Sequence, residues 1–81
     1  MENIVEFRRW LDEKTKYTKA TKSNIVSRLK RADGIIPIVV EDVYIFNLSN
    51  QTEFQNMSVS VKSQIRRAIR LYLEFMKESG E

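Results

Sequence analysis

The 81-residue chain contains no cysteine and no histidine. Without cysteine there is no disulfide framework and no thiolate to hold a metal. Without histidine as well, zinc loses its usual ligands and catalysis loses its commonest general base. Two glycines and one proline are too few for a loop-built or disordered chain. The longest apolar run, Ile35 to Val40, contains that proline and is far shorter than the ~20 residues that span a bilayer. The opening Met1-Glu2-Asn3 leads straight into amphipathic sequence, which is no secretory signal, so a cytoplasmic location is the default expectation. Absences of charge are the most informative. From Lys14 to Arg31 there are seven bases (Lys14, Lys16, Lys19, Lys22, Arg28, Lys30, Arg31) and no acid. From Phe54 to Leu73 there are four more (Lys62, Arg66, Arg67, Arg70), again without an acid. From Ala32 to Val61 there is no Lys or Arg, only Asp33, Glu41, Asp42 and Glu53. The net charge is only +3, but charge segregated into two helical segments can present one polyanion-binding surface, nucleic acid foremost.

What is present reads as one small all-α domain over residues 1–81, with a hydrophobic fraction of 42% suited to a globular core. Ile4, Phe7 and Leu11 recur at helical spacing from Asn3 to about Lys14, with Asn3 and Glu6 placed as a capping box. Thr18 can cap a second helix whose stripe is Ile25, Val26, Leu29 and Ala32, and Gly34 suits a left-handed C-terminal stop. Ile35 to Leu48 has strand propensity but no sheet to join. We read Ile35–Val39 as a buried extended connector and Val40–Leu48 as a short helix capped by Glu41-Asp42. Val43 and Phe46, with Tyr44 and Leu48 beside them, would face the core. Phe54 and Met57 pack back from a turn or loop. Ser58 caps the last helix, where Val61, Ile65, Ala68, Tyr72 and Phe75 form the clearest stripe, widened by Ile69 and Met76 and ended by Ser79-Gly80. Four or five helices surround one core.

Lys62, Arg66 and Arg70 stand four residues apart on that last helix, with Arg67 alongside and Ser60 and Ser63 near its start. Backbone N–H groups there favour anions, and arginine forks suit phosphate oxygens or a guanine edge. The second helix offers Thr18, Lys19, Thr21 and Lys22 for phosphate and Asn24 or Arg28 for a base edge. The plainer alternative for both is a solvated surface. Trp10, Tyr44 and Tyr72 fit the core better than base stacking, which leaves Tyr17 as the one exposed aromatic candidate. No phosphate loop, metal cluster or catalytic pairing is recognisable, so no cofactor and no autonomous enzyme are expected.

The order "EFRRWLDEK", "YTKATKSNIVSRLKRADGI", "VEDVYIFNLSN" and "SVSVKSQIRRAIRLYLEFMKES" resembles the N-terminal SAM-like, or core-binding, domain of phage-type tyrosine recombinases and integrases. The matching features are Trp10-Leu11, Thr18 to Thr21, Ser27-Arg28-Leu29, and Ala68 to Phe75; Ile25 departs from the family's frequent aromatic. The resemblance spans essentially the whole chain. It implies a SAM-like orthogonal bundle of four to five short helices whose second and last helices grip duplex DNA for integration or recombination. By position it implies DNA contacts from Thr18, Lys19, Thr21, Lys22, Asn24, Arg28, Arg31, Ser60, Lys62, Ser63, Arg66, Arg67 and Arg70. The family's chemistry lies in a separate catalytic domain, of the same or a partner recombinase chain, so none of the tyrosines here is expected to be a nucleophile. The isolated domain is expected to be a monomer with no membrane partner. Two other readings remain open: a SAM-like protein-interaction module without DNA binding, and a small helix-turn-helix regulator, which the long Asp33–Met57 interval fits poorly.

Overall fold

The computed structural model describes residues 3–41 and 43–80, with side chains to residue 78. Five helices follow one another: α1 (Ile4–Lys14), α2 (Lys19–Ile35), α3 (Tyr44–Ser49), α4 (Thr52–Gln55) and α5 (Val59–Gly80). Among the described residues there is no strand, and no helix is long and apolar enough to cross a membrane. The all-helical expectation is met.

All five helices share one core. Phe7, Trp10 and Leu11 enter it from α1, and Ile25, Val26, Leu29 and Ala32 from α2. Tyr44 and Leu48 come from α3, Phe54 from α4, and Ile65, Ala68, Ile69, Tyr72 and Phe75 from α5. The α5 stripe is the one that periodicity picks out, because a helix with one apolar face buries residues at spacings of three and four. At the α1–α5 end the rings interlock: Phe7 lies 5.4 Å from Tyr72, 5.5 Å from Phe75 and 6.0 Å from Trp10, centroid to centroid. Each polar tip finds a partner at the rim. The Trp10 Nε1–H donates to Glu78 Oε1 at 2.9 Å, and the Tyr72 hydroxyl donates to Asn3 Oδ1 at 2.8 Å.

That last bond explains one departure from expectation. Asn3 precedes α1 but makes no side-chain capping bond; its carboxamide is drawn instead to Tyr72 and to the Met76 sulfur. Thr18 and Ser58 do cap. The Thr18 hydroxyl accepts from the Thr21 N–H at 3.2 Å, and the Ser58 hydroxyl accepts from the Val61 N–H at 3.2 Å.

Gly34 does not stop α2 with a left-handed turn, since no described glycine has positive φ and the helix runs on through Ile35. Pro37 stops it. A residue before proline is driven out of the helical region, and Ile36 is extended at φ −137°, ψ 129°. The Asp33 carboxylate then accepts the Ile38 N–H at 3.0 Å, tying the exit down. The connector is only partly covered: Ile36 and Ile38 are half-buried, whereas Pro37 and Val39 are exposed.

The third helix is also shorter and differently phased than expected. It starts at Tyr44 rather than Val40, and Val43 at its N-terminus offers no side-chain cap. Glu41 contributes its backbone carbonyl to the Tyr44 N–H at 3.1 Å, and Asp42 lies outside the described residues. Tyr44 and Leu48 face the core one turn apart, which turns Val43 and Phe46 out to solvent, 52% and 68% exposed. The Tyr44 hydroxyl fixes this phase. It is buried at the end of α2, 2.7 Å from the Ile36 carbonyl and 3.2 Å from that of Ala32. A phenolate could not donate there, and burial, with Asp33 nearby, pushes the Tyr44 pKa up to about 12.

A pH dependence follows. The neutral phenol is favoured in the fold, so its contribution is complete below the unfolded value of about 10 and is lost as pH rises to about 12. Within that window the unfolded chain releases the proton first, and stability falls by on the order of 2 kcal/mol. Tyr44→Phe should be less stable at pH 7 by about 1 kcal/mol, through the lost hydrogen bond, yet decline less steeply above pH 10. Urea melts from neutral to alkaline pH would check both parts.

Candidate nucleic-acid interface

The two basic helices pack against each other, and a cleft of about 250 Å³ opens between them. Thr21, Asn24, Ile25 and Arg28 line it from α2, and Gln64 and Arg67 from α5. Four of these (Thr21, Asn24, Arg28 and Arg67) are among the residues the sequence singles out. Among the described residues, no acid lines the cleft. The Arg28 Nε–H donates to Gln64 Oε1 at 2.9 Å, which fixes the guanidinium across the helix pair. Arg67 lies over the Tyr17 ring, 4.9 Å from its centroid, and donates to the Tyr17 hydroxyl. Tyr17 is therefore half-buried beneath an arginine. This pairing orders a side chain that otherwise carries large rotamer freedom.

Charge in the sequence does not point to Gln64, because it is neutral. The available signal is its spacing, four residues after Ser60 and three before Arg67, which places all three on one strip of the helix. Ser60, Ser63 and Asn24 are exposed, and Arg28 is half-buried.

The remaining basic residues divide among other surfaces. Lys19 and Lys22 line a separate depression of about 220 Å³ with Arg8, Asp12 and Ser23. There the Lys22 ammonium donates to Asp12 Oδ1 at 2.7 Å, an acid outside the acid-free stretch in sequence but against it in space. Thr18 is exposed, with its hydroxyl bonded to that of Thr21 at 3.0 Å. Arg31 is exposed near the other end of α2. Arg66, although adjacent to Arg67, points the other way: it stacks over Phe54 of α4 at 5.3 Å. Lys62 is one turn before Arg66 and shares its flank. Arg70 borders an outer groove with Arg67. Arg66 and Arg67 therefore lie on different flanks of α5, and Arg70, four residues after Arg66 and three after Arg67, stands between them.

Compared with known proteins, the chain matches no family model, no curated protein and no solved structure.

Proposed function

We propose that this chain is a DNA-binding module of the phage-integrase type, a SAM-like core-binding domain that holds duplex DNA while a separate catalytic domain acts. The observation that carries this reading is the acid-free cleft. Its α2 side offers Thr21, Asn24 and Arg28, and its α5 side offers Gln64 and Arg67. Hydroxyl, carboxamide and guanidinium groups are the chemistry that contacts phosphates and reads base edges. Two of these groups, Arg28 and Arg67, are already held by protein partners, which lowers the entropy lost on binding. Ser60, Ser63, Arg70 and Arg31 would extend the contact to flanking phosphates, and Thr18, Lys19 and Lys22 would meet the backbone at the N-terminal end of α2. Chemistry is left to the partner domain.

An isolated module of this kind should bind duplex with ~10⁻⁴–10⁻⁶ M affinity. The test is an NMR titration of the isotopically labelled protein with a short duplex at low and moderate salt. Salt-reversible shifts centred on Thr21, Asn24, Arg28, Gln64 and Arg67 are expected. An absence of shifts at protein concentrations near a millimolar would remove DNA as a direct partner.

A further inference from the structure

Arg28 and Arg67 line the cleft from opposite helices, and each is held by a neutral partner. The Arg28 Nε–H donates to Gln64 Oε1 at 2.9 Å, while Arg67 lies over the Tyr17 ring and donates to its hydroxyl. A carboxylate in either place would cancel the charge it held. A carboxamide and a phenol fix the side chains and leave both charges whole. Among the described residues, the ion pairs are those of Lys14 and Lys22, and neither arginine takes part in one. Glu74 shares the outer groove with Arg67 but does not line the cleft. With Nε engaged, Arg28 keeps the N–H groups of both terminal nitrogens; Arg67, with one terminal nitrogen engaged, keeps those of Nε and Nη1. The Thr21 hydroxyl accepts from that of Thr18 at 3.0 Å, so its own O–H remains to donate. Donors and positive charge thus meet around a space of about 250 Å³, the volume of roughly eight waters at ~30 Å³ each.

We propose that this cleft is a seat for a single phosphate group, gripped by Arg28 and Arg67, with Gln64 and Tyr17 as the positioning residues. Guanidinium and hydroxyl donors bind anionic oxygens best, because the hydrogen bonds are then charge-assisted. Size and lining select a phosphate over a base. A duplex cannot enter a space this small, whereas a phosphate standing out from its backbone can. An extrahelical base needs a flat ring to stack on. Among the described residues no aromatic lines the cleft, and the Tyr17 ring beside it is covered by Arg67. The contact made here is therefore an anchor that reads no base sequence. That the phosphate belongs to DNA rests on the DNA reading, whereas the seat itself does not.

NMR of the labelled protein at constant ionic strength, following the arginine side-chain N–H signals, tests the two separately. The first probe is inorganic phosphate in place of chloride up to about 50 mM, beyond the millimolar range of a few polar contacts. Saturating shifts of Arg28 and Arg67 are expected, with Arg31 and Arg66 unmoved. Arg28→Gln or Arg67→Gln should weaken phosphate binding at least tenfold. Tyr17→Phe keeps the ring and removes the acceptor, so a smaller loss is expected. Gln64→Glu is the decisive variant. Gln64 is exposed, so the helical circular dichroism should be kept. Were Gln64 only a structural strut, glutamate would hold Arg28 at least as well and phosphate would still bind. In a phosphate seat the new charge competes with the ligand, and binding should fall at least tenfold while the Arg28 Nε–H stays protected. Phosphate binding indifferent to Gln64→Glu would overturn the proposal. The second probe is a short duplex. If duplex moves the cleft signals and phosphate does not, the seat is overturned and the DNA reading stands. If phosphate moves them and duplex does not, the seat stands and DNA is withdrawn as the source of its ligand.

Discussion

Phe7→Ala should cost this protein about 3–5 kcal/mol, the range for a fully buried phenylalanine. Phe7 has no exposed surface, and its ring touches three others, those of Trp10, Tyr72 and Phe75. Truncation opens a cavity whose lining is largely aromatic, and rigid rings collapse poorly into such a gap. The loss is large against the whole. At 0.05–0.15 kcal/mol per residue, a chain of this length is stable by roughly 4–12 kcal/mol. A drop in melting temperature of roughly 15–30 °C is therefore expected, or no cooperative transition at all. The effect should be concentrated at the α1–α5 end, where Phe7, Trp10 and Leu11 supply the buried contacts of α1. Trp10 fluorescence should accordingly report the loss along with far-ultraviolet circular dichroism. Phe46→Ala serves as the internal control. It removes the same atoms from a residue that is 68% exposed, and should change stability by less than about 0.5 kcal/mol. If the two variants melted alike, the assignment of these two rings to core and surface would be wrong.

The contrast between Phe7 and Phe46 also marks where the sequence stops being legible. In α1, α2 and α5 polar residues separate the apolar ones, so the period and phase of each helix can be read directly. Between Ile35 and Leu48 apolar residues crowd together: Ile35, Ile36, Ile38, Val39, Val40, Val43, Ile45, Phe46 and Leu48. A pattern with so few polar gaps carries no phase. What selects it is the Tyr44 hydroxyl reaching two carbonyls at the end of α2, a tertiary contact that hydrophobic periodicity does not register. The end of α2 misleads for a related reason. Gly34 is a sound stop signal by itself, but Pro37 acts on Ile36 by sterics that leave no alternative, and the helix continues until it is forced to end.

Charge has a similar limit. Segregation along the chain marks α2 and α5 as the basic helices, and the structure packs them together. It does not say which flank each base occupies. Successive helical residues are about 100° apart, so Arg66 and Arg67 belong to different surfaces although they are neighbours in sequence. Nor does it show Asp12 reaching Lys22 from α1.

That division of flanks sets the second large prediction. If the DNA face neutralises about four phosphates, affinity should fall roughly 100-fold between 50 and 200 mM salt. Arg67→Gln with Arg70→Gln removes two cations of the proposed DNA face, Arg67 in the cleft and Arg70 beside Arg67 on the outer groove. The salt exponent should then drop by about 1.8, leaving a fall of only roughly tenfold over the same range. Lys62→Gln with Arg66→Gln removes the same formal charge from the flank where Arg66 stacks on Phe54. Its salt exponent should stay close to that of the wild-type chain. Net charge is identical in the two double variants, so long-range attraction is matched and the difference isolates direct phosphate contact. Fluorescence anisotropy with a labelled duplex across a series of salt concentrations measures both slopes. Equal slopes for the two variants would mean that DNA responds to total charge alone, and the cleft between α2 and α5 would lose its claim to be the binding face.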